Sequence, residues 1–258
     1  MKTRIFASLI LVPFFICVLL GGYPLKLMVV VISAIGYNEF INAMETKGYK
    51  PSRTIGYGAL TVLVLIDNYF GANKEFIIYW VVLLLMASLV YGFNIEERKL
   101  EDSLGTFFGS IYVFLLFYFL ILIDSSDKNI YIWTVFLTAF GTDIMAYFTG
   151  YAIGKHKLCP NLSPKKTIEG AIGGVIGSVI FNMVFSLIVL KEFPIALILF
   201  SIIGSVISQI GDLSASMMKR KLGVKDYGKL IPGHGGILDR FDSVLFVAPI
   251  LYMFITLF

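Results

Sequence analysis

Long apolar runs, separated by short polar segments, make up most of the chain. Most runs approach or reach the roughly 17–25 residues that a helix needs to cross a bilayer. The pattern predicts an all-α integral membrane protein with about nine transmembrane helices. These predicted spans are Ile5–Leu20, Pro24–Met44, Ile55–Phe70, Phe76–Phe93, Leu104–Ile123, Asn129–Gly150, Ile168–Leu190, Pro194–Ile210 and Leu238–Phe258. The first run could instead be a signal peptide, but residues 21–24 predict a turn rather than a cleavage site, so we expect an uncleaved helix.

Lysine and arginine are distributed unevenly among the segments between these spans. Counting residues at the ends of a span with the adjoining loop, 17 of the 21 Lys and Arg residues belong to the N-terminal tail and every second loop, whereas each remaining loop has one. Because cytoplasmic loops hold the excess of positive charge, we expect the N-terminus in the cytoplasm and the C-terminus outside. The even spread of the minority also favours nine spans, since a missed helix would mix the two sets of loops.

The composition agrees with a membrane protein. Apolar residues make up 58% of the chain and charged residues 15%, against about 25% charged in soluble domains. The mean hydropathy is +0.86 and the isoelectric point is about 8.9. The net charge of +4 does not indicate a nucleic-acid partner, because the basic residues lie in loops between apolar runs.

Carboxylates interrupt the apolar runs on one side of the predicted membrane. They are Glu39 in span 2, Asp143 in span 6, Asp212 after span 8, and Asp239 and Asp242 at the start of span 9. A charge at the bilayer centre costs roughly 2.5–3.5 kcal/mol on insertion scales, so five carboxylates at one depth indicate a functional site near the cytoplasmic leaflet. Glu39 has two interpretations, a partner for a lysine such as Lys47 or Lys50, or a member of this site.

The most polar stretch runs from Ser208 to Ser243. Its first part predicts a helix, one face of which carries Asp212, Ser216, Lys219 and Arg220. Glycines and Pro232 predict a loop from Gly223 to Gly236. Asp239, Asp242 and Ser243 then share one face of a final helix. Carboxylates flanking a basic, glycine-rich loop are what a metal–polyphosphate site needs, with oxygen ligands for Mg²⁺ and cations and backbone N–H groups for phosphate.

The loop between spans 6 and 7 is the second informative region. Ser163 is a candidate cap before Pro164, and Lys165, Lys166 and Thr167 at the start of span 7 form a candidate anion site. The alternative is ordinary positive charge beside a membrane helix. Small residues recur along span 7 at 170, 173, 174 and 177 and along span 8 at 201, 204, 205 and 208, which predicts tight packing between these two spans.

The C-terminal stretch resembles the phosphatidate cytidylyltransferase (CDP-diacylglycerol synthase) family, whose signature is close to S-x-x-K-R-x4-K-D-x-G-x2-L/I-P-x-H-G-G-x-x-D-R-x-D. The matching residues are Ser216, Lys219, Arg220, Lys225, Asp226, Gly228, Ile231, Pro232, His234, Gly235, Gly236, Asp239, Arg240 and Asp242. Residues 163–170 also resemble the family block S-P-x-K-T-x-E-G. After Asp143 the family usually has a hydroxyl residue and glycine, where this chain has Ile144 and Met145.

The resemblance implies transfer of the cytidylyl group of CTP to phosphatidate, giving CDP-diacylglycerol and pyrophosphate. It implies Mg²⁺, or more than one divalent or mixed metal ion, as cofactor. The implied metal ligands are Asp212, Asp239, Asp242 and Asp143. The implied catalytic residues are Lys219, Arg220, Lys225, His234 and Arg240. The implied substrate-binding residues are Lys165, Lys166, Thr167, Glu169, Ser216, Asp226, Gly235 and Gly236.

Two roles stay open within this assignment. Asp226 either orients Lys225 or binds the nucleotide, and His234 either contacts phosphate or nucleotide or acts as a general base. We expect one-step transfer without a covalent enzyme intermediate, because no activated nucleophile is evident. Ser216 would need an adjacent base, and Cys159 has no partner at motif spacing.

The positions of the predicted site residues divide the chain into two regions. Residues 1–128 would supply spans 1–5, and residues 129–258 the catalytic region of spans 6–9 with cytoplasmic loops 151–167 and 217–237. The expected partners are CTP, phosphatidate and membrane lipid, with a homodimer as one possible assembly. The expected location is the plasma (inner) membrane of a bacterium. The alternatives are a related cytidylyltransferase with another lipid-phosphate acceptor, and a cation-coupled transporter, which should show inverted repeats that this chain lacks.

Overall fold

The computed structural model describes residues 12–71, 74–191, 195–230 and 235–257, with the side chain of Lys74 excluded. Residues 12–20 are helical. The helices that follow are α1 (Gly22–Glu45), α2 (Arg53–Phe70), α3 (Lys74–Tyr91), α4 (Leu100–Asp124), α5 (Asn129–Ile153), α6 (Ile168–Leu190), α7 (Ile195–Leu222) and α8 (Leu238–Leu257). Helix α5 begins with a 3₁₀ turn, and π-helical turns lie within α4 at Ile111–Leu115 and at the end of α6 at Ser186–Leu190.

The predicted apolar runs correspond to these helices, so the prediction of a helical membrane protein is confirmed. Among the described residues, six helices are long and apolar enough to cross a membrane, namely α1 and α4 to α8. Helix α7 continues about twelve residues past the predicted end of span 8. The polar residues that follow Asp212 are therefore part of the same helix, as far as Leu222. The first half of the predicted span Ile5–Leu20 lies outside the described residues.

A short β-hairpin, which the all-helical prediction did not contain, lies between α5 and α6. Strands β1 (Lys157–Cys159) and β2 (Ser163–Thr167) pair antiparallel. The intervening turn holds Pro160 and Asn161, both turn-forming residues, and Leu162 N donates to Cys159 O at 3.1 Å. Ser163 is therefore a strand residue and not the helix cap that we predicted. The cap of α6 is Thr167, whose hydroxyl accepts from Gly170 N at 3.1 Å.

The chain forms two compact units. Unit 1 comprises residues 1–125 and 221–240, and unit 2 comprises residues 126–220 and 241–258. The predicted division after residue 128 assigned the loop before α8 to the C-terminal part, whereas residues 221–240 pack with the N-terminal helices. The divisions of the compact units fall within α7 and α8, so each of these two helices contributes to both.

Unit 1 is built around α1. The Tyr37 side chain is buried, and its ring packs at a tilt of 38° against Phe114 in α4, with the ring centroids 4.7 Å apart. Its hydroxyl donates to Ser52 O at 3.0 Å. Position 56 in α2 is glycine because any larger residue would overlap the Tyr37 ring. Aromatic packing thus ties α1 to α2 and α4.

Unit 2 is organised by close backbone packing of α5 on α6. A Cβ at Gly173 would overlap Thr149, and one at Gly174 would press on Thr142. The glycine stripe of α6 therefore faces α5. The predicted packing between spans 7 and 8 is also present, because Ser178 Oγ of α6 donates to Ser201 O of α7 at 3.2 Å and both residues are buried. Small residues show that a face is tightly packed without revealing its partner. Helix α7 joins this pair through Ser205, whose hydroxyl accepts from Thr142 Oγ1 at 2.8 Å.

Candidate active site

A cleft of about 510 Å³ opens in unit 2 between α5, the hairpin, the start of α6 and α7. Its polar lining consists of Asp143, Lys157, Lys165, Lys166, Thr167, Gln209 and Asp212. Tyr147 and Tyr151, whose rings are nearly parallel at 6.4 Å, line it as well. The cleft therefore combines two carboxylates, three lysines and an aromatic wall, an arrangement suited to a charged, partly apolar ligand.

Lys166 and Asp212 form an ion pair in this cleft. Lys166 is carried by β2 and Asp212 by α7, so the hairpin brings a cation to the helix that bears the carboxylate. The two side chains are 28% and 25% exposed, which leaves both within reach of a ligand. Two groups that we assigned to separate roles, substrate binding and metal binding, are thus in direct contact here.

Asp242 adds a third carboxylate to the same unit. Its residue is 7% exposed, and its charge interacts with those of Asp212, Asp143 and Lys219. Asp242 Oδ1 accepts from Ser243 N at 2.8 Å. Helices α7 and α8 approach closely at this level, because a Cβ on Gly211 would lie 2.7 Å from Asp242 O. The glycine before Asp212 thus allows the two acidic helices to meet.

The acidic cluster fits a magnesium ion that is shared with substrate. In the part of the chain that the structure describes, no three His, Cys, Asp or Glu side chains converge as a complete metal site. Mg²⁺, however, usually takes one or two carboxylates and completes its octahedron with water and substrate phosphate oxygens. Asp212, with Asp143 or Asp242, supplies hard oxygen ligands of that kind.

Thr167 and Glu169 lie at the start of α6 and stabilise the chain around it. Thr167 caps the helix and lines the cleft. The Glu169 carboxylate pairs with His156 Nδ1 at 2.6 Å and accepts from Lys155 N at 3.1 Å. Glu169, predicted to bind substrate, thus holds the segment before β1 against α6. The His156 side chain itself is 75% exposed.

The remaining predicted residues fall on α7 and on the segment before α8. Ser216 and Lys219 are half-buried and Arg220 is exposed in unit 2. In unit 1, Lys225 and Asp226 are exposed, and Arg240 N donates to Ile237 O at 3.0 Å. His234, with residues 231–233, lies outside the described residues.

Asp239, in unit 1, contacts Gly235 and Gly236 of the family motif and accepts hydrogen bonds from the backbone. Asp239 Oδ2 accepts from Tyr227 N at 2.8 Å and from Gly236 N at 2.9 Å. Gly235 has a φ of +83°, which favours glycine, and its Cβ would lie 2.7 Å from the Asp239 carboxylate. The metal role predicted for Asp239 stays a prediction. The observed hydrogen bonds of Asp239 hold Tyr227 and Gly236, which precede α8, close to the start of that helix.

Sequence reasoning missed several residues of the cleft. Lys157, Tyr147, Tyr151 and Gln209 line it, and none was among the predicted site residues. Tyr147 and Tyr151 lie four and eight residues after Asp143, so the helical period places them on its face. That spacing was the available signal. Lys157 required knowledge of the hairpin.

The model of a family described as "Cytidylyltransferase family" matches residues 2–258. A Bacillus subtilis (strain 168) protein named phosphatidate cytidylyltransferase is 34% identical over 268 aligned residues, covering 100% of this chain and 98% of the relative. A protein of the same name from Staphylococcus haemolyticus is 35% identical, with 97% of each chain covered. One from Staphylococcus epidermidis is 33% identical over the same share. The chain belongs to the cytidylyltransferase family.

Proposed function

We propose that this protein transfers the cytidylyl group of CTP to phosphatidate, giving CDP-diacylglycerol and pyrophosphate. The observation that carries the proposal is the cleft of unit 2, where Asp143 and Asp212 lie with three lysines beside membrane-length helices. Relatives with about one-third identity over their full length carry the name of this activity. A polyphosphate and an anionic lipid headgroup are the kinds of ligand that such a lining attracts.

The reaction needs charge neutralisation more than proton transfer. A phosphate oxygen of phosphatidate forms a bond to the α-phosphorus of CTP, and the bond from that phosphorus to the bridging oxygen of the β-phosphate breaks as pyrophosphate leaves. The nucleophile is already ionised at neutral pH, so no strong general base is required. Lys165 and Lys166 are placed to hold phosphate oxygens at the cleft, and Lys219, Arg220, Lys225 and Arg240 are assigned the remaining anion contacts through the family motif.

Mg²⁺ would be held by Asp212 together with Asp143 or Asp242, and Asp239 is retained as a proposed ligand through the motif. When bound, the ion would supply positive charge to the phosphates of CTP and to the leaving pyrophosphate. The ion pair with Lys166 neutralises Asp212 in the structure. We propose that this lysine exchanges its carboxylate partner for a substrate phosphate when the nucleotide enters.

We propose a nine-span topology with a cytoplasmic N-terminus, which would put this site at the inner leaflet. Helices α2 and α3 have 18 residues each, about 27 Å at 1.5 Å per residue, close to the thickness of the hydrocarbon core. Together with the helix at residues 12–20 and the six longer helices, they would make nine spans. Single cysteines at Lys191 and Lys229, in a chain lacking Cys17 and Cys159, should label from opposite sides of the membrane. Labelling from the same side would contradict this topology.

The decisive experiment is an assay of the purified protein with labelled CTP, Mg²⁺ and phosphatidate in mixed micelles. We expect labelled CDP-diacylglycerol and an equal amount of pyrophosphate. Parallel reactions with ether-linked and polyprenyl phosphates identify the acceptor. Product from one of those lipids but none from phosphatidate would assign the protein to another acceptor, and absence of nucleotidyl transfer to any lipid would refute the proposal.

A further inference from the structure

A buried carboxylate near the end of an apolar helix has no role in the proposed chemistry. Glu39 lies in α1 and is 6% exposed. Its Oε1 accepts from Ile237 N and its Oε2 from Leu238 N, both at 3.0 Å. The two interpretations left open by the sequence were a lysine partner and membership of the site. The observed partners are instead the backbone N–H groups that open α8.

These two hydrogen bonds cap α8 from a distant part of the chain. The first N–H groups of a helix lack intrahelical acceptors and carry partial positive charge, so a carboxylate beside them is well placed. Local capping side chains usually supply this acceptor. Here it comes from a residue about 200 positions earlier in the sequence, so the start of α8 is fixed to α1 and not only to its own loop.

Glu39 also explains two glycines of the signature. A Cβ on Gly228 or on Gly236 would overlap the Glu39 side chain, whose atoms would be its three nearest neighbours in each case. Neither glycine has a positive φ. Space for Glu39, and not backbone conformation, is therefore the reason that these positions are glycine.

A second carboxylate, that of Asp239, holds together residues on the two sides of the glycine-rich loop that precedes α8. Asp239 Oδ2 accepts from Tyr227 N and Gly236 N, which connects the residues on either side of the loop. The Tyr227 ring is buried and lies 6.5 Å from that of Phe40, the neighbour of Glu39. Residues 227–228 and 235–239 are thus held by α1 on one side and by Asp239 on the other.

We infer that Glu39 is a positioning residue that holds the glycine-rich segment and the start of α8 in the conformation that the reaction uses. Its effect on catalysis rests on the proposed function, whereas its effect on the segment does not. Glu39 touches neither substrate nor metal in this assignment. It acts through the backbone at Gly236, Ile237 and Leu238, from which Asp239 and Arg240 follow.

The test compares Glu39→Gln with Asp67→Asn, a matched change at another buried carboxylate of unit 1. Asp67 pairs with Lys26, thirteen residues before Glu39 on α1 and so about 20 Å along the helix. Trypsin cleavage of the detergent-solubilised full chain after Lys225 and Lys229, both exposed, reports opening of the segment. We expect cleavage to be about tenfold faster in Glu39→Gln, which loses one acceptor, and unchanged in Asp67→Asn.

Kinetics separate positioning from general loss of structure. For Glu39→Gln we expect kcat to fall at least tenfold at an unchanged amount of folded protein, and Glu39→Asp to recover part of this loss. Wild-type protein without transferase activity but with the expected cleavage difference would refute the proposed function and support the positioning role. Active wild-type protein with unchanged cleavage and kcat in Glu39→Gln would overturn the inference.

A double-mutant cycle tests the contact itself. Gly236→Ala alone should open the segment to trypsin, because the new methyl group meets Glu39. Combined with Glu39→Ala, the same substitution should add little to the effect of Glu39→Ala alone, since the obstructing side chain has gone. Equal, additive effects in both backgrounds would show that Glu39 does not determine the glycine at position 236.

Discussion

A lysine–aspartate ion pair lies in each of the two units. In unit 1, Lys26 Nζ is 2.7 Å from Asp67 Oδ2, and in unit 2, Lys166 pairs with Asp212. The lysines have nearly equal exposure, 27% and 28%. In both pairs the aspartate lies on a helix and follows an apolar run, so composition and pairing alone do not distinguish them.

The two aspartates differ in what surrounds them. Asp67 is 5% exposed, and its second oxygen accepts from Tyr118 Oη at 2.8 Å. Asp212 is 25% exposed, borders a 510 Å³ cleft with further lysines, and interacts with the charge of Asp242. The pair in unit 1 borders a mainly apolar cavity of about 210 Å³. An ion pair with both carboxylate oxygens occupied serves structure, whereas one that is open to solvent and to other charges can exchange partners.

The largest effect that follows from this comparison is loss of activity on Asp212→Asn. The substitution keeps the shape of the side chain but removes the negative charge that would hold the metal, so we expect the rate of CDP-diacylglycerol formation to fall about 100-fold or more. Asp67→Asn should change that rate by less than about threefold. Both variants are compared at equal amounts of folded protein by size-exclusion chromatography. Full activity of Asp212→Asn with unchanged Mg²⁺ dependence would remove Asp212 from the site.

The sequence predicted the helices and the two functional regions, but not how the regions are assembled. Helices α6 and α8 begin at the predicted residues, Ile168 and Leu238, because an apolar run there meets charged or glycine-rich chain. The hairpin was missed because its strands are short and polar and have no apolar alternation. The cap of α8 by Glu39 joins residues that are about 200 positions apart, and no local pattern encodes such a contact.

Disrupting the other ion pair, Lys26 with Asp67, should lower the stability of the folded protein. Lys26→Met leaves Asp67 buried with Tyr118 as its described hydrogen-bond donor, so we expect the free energy of unfolding to fall by about 2 kcal/mol. This lies between the ~0–1 kcal/mol typical of surface pairs and the ~3–5 kcal/mol lost when a buried pair is broken. The thermal midpoint in detergent should drop by roughly 4–8 °C.

A second substitution separates charge from packing at this pair. Replacing both partners, as Lys26→Met with Asp67→Leu, removes the unpaired charge and should recover most of the lost stability. Transfer activity should stay within about twofold of wild type in both variants when folded amounts are matched. A loss of activity in the double variant at restored stability would instead give unit 1's pair a functional role, and the contrast between the two pairs would fail.

The smallest expected effect tests whether the cleft binds phosphate through direct contacts with particular lysines or only through the overall positive charge around it. Lys157 and Lys155 are both exposed and two residues apart, but only Lys157 lines the cleft. If the cleft binds phosphate by direct contact, Lys157→Gln should raise the KM of a substrate about three- to tenfold, and Lys155→Gln should change it by less than twofold. If the lysines act only by attracting anions over a distance, the two substitutions should have equal effects, and both effects should disappear at high salt. Initial rates at 0.05 and 0.5 M salt, with each substrate varied in turn, measure the difference. Direct contact predicts that the gap between the two variants persists at the higher salt, because a partly enclosed pair is screened less than an open surface charge.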